Sequence, residues 1–135
     1  MPGIRIRDTK QSGGLSFDLR DILAVIGEPV LASKWRCLKI WSTVRVDGEW
    51  CSFRDSRFKL SGAEMVRFAC DHAQIIDGRF EAKGEGAAKH PWLIIVAHDS
   101  SFYEVWSSKS WVIEKLKIRF EDVIDITGDL TEPVG

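Results

Sequence analysis

The sequence predicts an α+β domain: a curved, mostly antiparallel sheet of about five to six strands with three helices, in the order α-β-β-α-β-β-β-α. Three observations carry this. Residues 92–98 form the longest nearly unbroken apolar run, and a second apolar segment, 102–106, follows after Asp99-Ser100-Ser101. Such runs suit strands covered on both faces. Asp47-Gly48 marks a two-residue hairpin, because type I′ geometry needs positive φ at both turn positions. Three further segments repeat apolar residues at helical spacing. Helices that alternate with strand pairs pack most simply on one side of a sheet.

The elements follow in order. Residues 1–14 read as a polar, mobile lead-in, within which Ile4 and Ile6 could pair as a short edge strand. Residues 15–127 form a single domain. Ser16 is a candidate N-cap for the first helix, whose stripe is Leu15, Leu19, Ile22, Leu23 and Ile26. Gly27 ends it and Pro29 prevents its return. Setting Val46 opposite Glu49 then pairs Val44 with Cys51 and Ser42 with Phe53. Leu38, Ile40, Val44, Val46, Cys51 and Phe53 point to the core in this register. Arg45–Trp50 and Trp41–Arg54 pair on the opposite face, each ring under a guanidinium. Ser61-Gly62-Ala63-Glu64 is a capping box that opens the second helix, with Met65, Phe68, Ala69 and His72 on one side. Residues 74–83 read as a strand, either kinked or interrupted by a turn at Asp77-Gly78. Residues 84–90 form a glycine-rich loop without the ending of a phosphate loop. A two-residue turn at Asp99-Ser100 pairs Val96 with Tyr103 and Ile94 with Val105. Ser108 or Ser110 caps the third helix, which buries Val112, Ile113, Leu116 and Phe120. Residues 122–127 add a last edge strand, and residues 128–135 are a C-terminal tail.

Composition limits the functions. The 135 residues carry a net charge of −1 with the two signs interleaved, which argues against a strong non-specific nucleic-acid field. Cys37, Cys51 and Cys70 show no CxxC pair and no disulfide spacing, so buried free thiols in a reducing compartment are expected. No stretch is apolar for long enough to span a bilayer. The N-terminus has no signal-peptide core, and the cytoplasm is the expected location. The unusual feature is six tryptophans against one tyrosine.

Each chemical motif meets a simpler reading. His98-Asp99-Ser100-Ser101 holds the residue types of a hydrolase triad, but triad members meet across a fold, and a hairpin turn explains these residues. Cys70 and His72 are about 200° apart on a helix and do not face each other. His72, His90 and His98 lack ligand spacing, so no metal and no cofactor are expected. Glu104 lies between aromatic residues. In an aromatic-lined cavity with Tyr103 and Trp106 it could act as an acid or base, whereas cross-strand pairing with an arginine would satisfy it. Trp41, Arg45, Trp50 and Arg54 form the candidate binding face, of the residue types enriched at interface hot spots. Trp35 and Lys39 extend that face by strand parity.

The expected function is therefore a non-enzymatic binding or regulatory module, acting through the Trp/Arg face or a concave pocket. A small enzyme or small-molecule binder using Glu104 is the alternative, and single-stranded nucleic-acid binding is a weaker one. The expected partner is a protein or a small molecule, with a homodimer among the options. No membrane partner is expected.

Overall fold

The computed structural model describes residues 1–84 and 89–127. The expected loop at 84–90 lies partly outside this range, and the expected tail at 128–135 lies wholly outside it. The elements are β1 (Gly3–Ile6), α1 (Leu19–Ile26), α2 (Pro29–Ala32), β2 (Lys34–Val46), β3 (Glu49–Leu60), α3 (Gly62–Asp71), β4 (Gln74–Lys83), β5 (Leu93–His98), β6 (Phe102–Ser107), α4 (Ser110–Arg119) and β7 (Val123–Ile126). The seven strands make one antiparallel open sheet in the order β3-β2-β4-β5-β6-β1-β7.

The class matches the expectation, and the counts correct it. The described residues hold seven strands and four helices, not five to six and three. The added inner strand is β1, which lies between β6 and β7 rather than at an edge. Ile4 and Ile6 are fully buried, and their apolar area explains why this short segment is held inside the sheet. The added helix is α2. Pro29 starts it instead of only ending α1, because the first helical position needs no N–H and proline presets its φ.

Side chains alternate between two faces. One face carries the core. A row across it runs Cys37, Phe80, Ile95, Val105 and Ile4, all fully buried. The helices complete this core with Leu19, Ile22, Val30, Met65, Ala69, Val112 and Leu116. Asp18 is the N-cap of α1, in place of Ser16, and its N–H donates to the Asp21 carboxylate at 2.7 Å. Ser61 and Glu64 make the expected capping box at the start of α3, with reciprocal bonds of 2.8 and 3.2 Å. Those bonds hold the Glu64 carboxyl below its usual range. Lys109 stands at the N-cap of α4 without a side-chain cap, and neither candidate serine caps it.

The second face carries charged rows. One runs Arg36, Glu81, Ile94, Trp106 and Gly3; its neighbour runs Leu38, Arg79, Val96, Glu104 and Arg5.

Two irregularities set which residues share a face. The β2–β3 register is as expected, including Trp41–Arg54 and Arg45–Trp50, but the Lys39–Ser56 rung is missing. Lys39 has φ of 50°, and the β2–β4 register slips between Leu38 and Trp41. This bulge reverses side-chain parity. Phe53 and Phe58 are five residues apart, yet both rings meet Phe68 on the core side. Trp35 likewise falls on the core side, where its indole N–H donates to the Val30 carbonyl at 3.1 Å. This corrects its expected place on the Trp/Arg face. Leu38 moves the other way, to the second face.

The second irregularity is the β5–β6 turn. Asp99 and Ser100 have positive φ, and the Ser101 N–H closes on the His98 carbonyl, as a two-residue turn requires. The ladder resumes only at Phe102, so Ala97 faces Tyr103 and Val96 faces Glu104. This is one residue off the expected register. The turn is tied to β4: the Ser100 N–H donates to the Ile76 carbonyl, and the Asp99 N–H to Asp77 Oδ1 at 2.9 Å. Those anchors leave Ser101 as an extra residue. Asp77-Gly78 is not a turn; β4 runs through it.

The β2–β3 hairpin also outruns the helices. Val46 and Trp50 are about half exposed, and Cys51 is exposed, so Val46 and Cys51 do not reach the core as expected. Cys70 is exposed too, on the outer side of α3, which leaves Cys37 as the one buried thiol.

Candidate functional site

A cleft of about 610 Å³ opens on the second face where β2 bulges. It crosses four strands. Arg54, Asp55 and Ser56 come from β3, Leu38 to Trp41 from β2, Asp77 to Arg79 from β4, and Val96 to His98 from β5. Its volume is in the range of small-ligand pockets.

Trp41 stands in the middle, opposite Arg54 on one side and Asp77 on the other. Its indole N–H donates to Ser52 Oγ at 3.1 Å, which fixes the ring. The Arg54 guanidinium lies 4.0 Å from the ring centroid, a cation–π contact. Asp77 keeps Oδ1 on the Asp99 N–H. His98 closes the row. Its Nε2 lies 3.0 Å from Glu104 Oε1, and its ring stacks on Phe102 at 4.7 Å. Phe102 also lies under the Arg5 guanidinium, at 4.5 Å.

Glu104 is thus a paired carboxylate. Oε1 meets His98 and Oε2 meets Arg5 Nη2 at 3.0 Å. Both oxygens are engaged, the arrangement that cross-strand pairing with arginine would give. What Glu104 can do chemically is orient His98. In a neutral imidazole, a carboxylate that accepts from Nε2–H leaves Nδ1 as a lone-pair acceptor. Behind this row, Glu81 joins two arginines: Arg36 Nε donates to Oε1 at 2.9 Å and Arg79 Nε to Oε2 at 2.7 Å.

The expected residues are partly brought together. Trp41 and Arg54 line the cleft. Arg45 and Trp50 stack farther out on the hairpin, at 5.4 Å, with Trp50 exposed. Tyr103, Glu104 and Trp106 do not surround one cavity. Tyr103 points to the core side against Phe17, where burial pushes its phenol above the usual range. Trp106 lies on the second face and packs over Gly3, where an added Cβ would come within 2.4 Å of the ring.

Sequence reasoning noted Asp77, with Arg79, as a weak polar pair and His98 as a turn residue, but did not bring either together with Trp41, and it missed Lys39 as the bulge. The available signal was the Asp-Gly pair in a strand, since an interior glycine often marks an irregular ladder. It also missed the buried bond between Ser42 Oγ and His72 Nδ1, at 2.6 Å. Ser42 is fully buried, so no substrate reaches it, and burial lowers the His72 imidazole below its usual range. A second cleft, about 600 Å³, lies on the other side between Pro29, Ser33, Trp92 and Trp111. The two indoles stand 6.3 Å apart, and Trp92 Nε1 donates to Ser33 Oγ. Among the described residues, no three histidine, cysteine or acidic side chains gather as a metal site. No helix among them is long and apolar enough to cross a membrane.

No family model matches the chain, and neither a curated protein nor a solved structure does.

Proposed function

We propose that this protein is a non-enzymatic binding module that holds a small ligand in the cleft of its second sheet face. The observation that carries this reading is the row Arg54, Trp41, Asp77 and His98, four different recognition chemistries side by side in one cleft. A fixed aromatic ring offers area at low entropic cost, and the polar groups around it set orientation. Several of these groups are held by neighbours: Trp41 by Ser52, Asp77 by the Asp99 N–H, and His98 by Glu104. Such preorganisation suits binding. The engaged oxygens of Glu104 give it a supporting part in this reading, as the group that orients His98.

The test is a fragment screen read by the indole N–H signals of 15N-tryptophan-labelled protein. The Trp41 signal is assigned by its loss in Trp41→Phe. Polar fragments that bind should move the Trp41 signal and leave Trp35, on the core side, in place. The His98→Ala variant should weaken those hits at least tenfold. Hits that move only Trp92 and Trp111, or no hits at all, would overturn the reading.

A further inference from the structure

We infer that the ligand of this cleft is a small zwitterion, a peptide of two to three residues, with its ammonium between Asp77 and His98 and its carboxylate on Arg54. This rests on the binding reading above and adds the chemistry of the ligand.

The charges in the cleft are sorted by strand. The β4–β5 end carries two acceptors, Asp77 and His98, beside Arg79, whose Nε donates to Glu81 Oε2 at 2.7 Å. Asp77 Oδ1 is held by the Asp99 N–H, and among the described residues Oδ2 has no partner. His98 gives Nε2 to Glu104, which leaves Nδ1 without a partner there. Two acceptors side by side, one of them anionic, fit an ammonium. The β2–β3 end carries donors. The Arg54 guanidinium is stacked on Trp41, and among the described residues it makes no salt bridge. Stacking uses the face of the group and leaves its in-plane N–H fork for a carboxylate. Lys39 adds a second positive charge at this end. Asp55 also lines this end, with Oδ1 on the Arg57 N–H at 3.1 Å, and the two cations Arg54 and Lys39 outweigh its charge. Between the two ends the wall is apolar: Leu38, Trp41 and Val96.

The spacing sets the size. Arg54 and Asp77 lie on β3 and β4, with β2 between them. Two strand spacings are about 10 Å. An extended peptide spans about 3.4 Å per residue, so two to three residues bridge the ends. A purely anionic ligand would meet Asp77, and a purely cationic one would meet Arg54 and Lys39. A molecule with both charges satisfies both ends.

The experiment titrates the tripeptide Ala-Leu-Ala, its N-acetyl form and its C-terminal amide into the labelled protein at pH 7, where a peptide α-amino group is mostly protonated and its carboxylate is ionised. Binding is read from the Trp41 indole signal. The free tripeptide should bind at least tenfold more tightly than either blocked form. Asp77→Asn keeps an acceptor for the Asp99 N–H and should erase the preference for the free amine. Arg54→Gln should erase the preference for the free carboxylate. The other tryptophan signals should stay in place, which shows that the variants are folded. Blocked peptides that bind as tightly as the parent would overturn the inference. So would a Trp41 signal that ignores all three peptides. If other fragments still move Trp41 in that case, the cleft stands and the zwitterion falls; if nothing moves it, both fall.

Discussion

The Glu81→Gln substitution tests the charge network that supports the second face. Glu81 and Arg79 have side chains only 3% and 5% exposed, while Arg36 is 36% exposed. The carboxylate accepts from Arg36 on one oxygen and from Arg79 on the other. Glutamine keeps the shape and one acceptor but removes the charge between two guanidiniums. Breaking a buried ion pair by removing one partner costs about 3–5 kcal/mol. Arg36 can turn toward water, so its share is small, and Arg79 has a further contact besides Glu81, which puts the loss at the low end of that range. About 3 kcal/mol is therefore expected. For a denaturation slope of about 2 kcal/mol per molar urea, this lowers the midpoint by about 1.5 M. The Arg36→Met variant is the control. It leaves Glu81 paired with Arg79 and removes a partly solvated contact, for which about 1 kcal/mol is expected. Urea unfolding followed by tryptophan fluorescence measures both. If Glu81→Gln shifts the midpoint no more than Arg36→Met does, the network does not hold the face and the reasoning fails.

Two further outcomes follow from packing. Gly62→Ala should destabilise although alanine is the better helix former by about 1 kcal/mol, because the new Cβ would lie 2.1 Å from the Leu31 carbonyl oxygen, and backbone yields poorly. A net loss of about 1–2 kcal/mol should lower the melting temperature by about 4–8 °C, and a variant that melts at or above the parent would refute the contact. Burial pushes the Cys37 thiol up to about 12, while Cys51 and Cys70 are exposed. A thiol reagent at pH 8 should therefore titrate Cys51 and Cys70 in the folded protein and Cys37 only after denaturation; a third fast thiol in the native state would contradict this.

Local rules were legible in the sequence, and the meeting of distant segments was not. The Asp47-Gly48 turn fixed the β2–β3 register down to Trp41–Arg54, because a two-residue turn leaves no freedom in the pairs beside it. The Ser61/Glu64 box fixed the start of α3 for the same kind of reason. The failures are long-range. Nothing near Gly3 says that it will pair with both Trp106 and Ile126, more than 100 residues away. Nothing near Ser101 says that Ile76 and Asp77 will grip the turn and shift its register. Parity counting carried Trp35 to the wrong face because one residue, Lys39, adopts positive φ. A lysine gives no warning of that conformation, since glycine, asparagine and aspartate are the residues that favour it.

The same irregularity accounts for where the candidate site lies. In a regular antiparallel ladder, neighbouring strands lie about 4.8 Å apart and side chains fill the surface without leaving a cavity. At Lys39 a rung to Ser56 is missing and the β2–β4 register slips. The strand bends there, and the side chains on either side of the break no longer close over one another. Leu38 and Trp41, which a regular strand would place on opposite faces, now line one cleft. The anchored β5–β6 turn has the matching effect on the other flank, since its extra residue puts His98 opposite Phe102 and Val96 opposite Glu104. Without that shift, Glu104 would lie on the core side and His98 would have no carboxylate to orient it. The candidate site therefore depends on two one-residue displacements that meet in the same part of the sheet, which is why a pattern search tuned to regular strands passes over it.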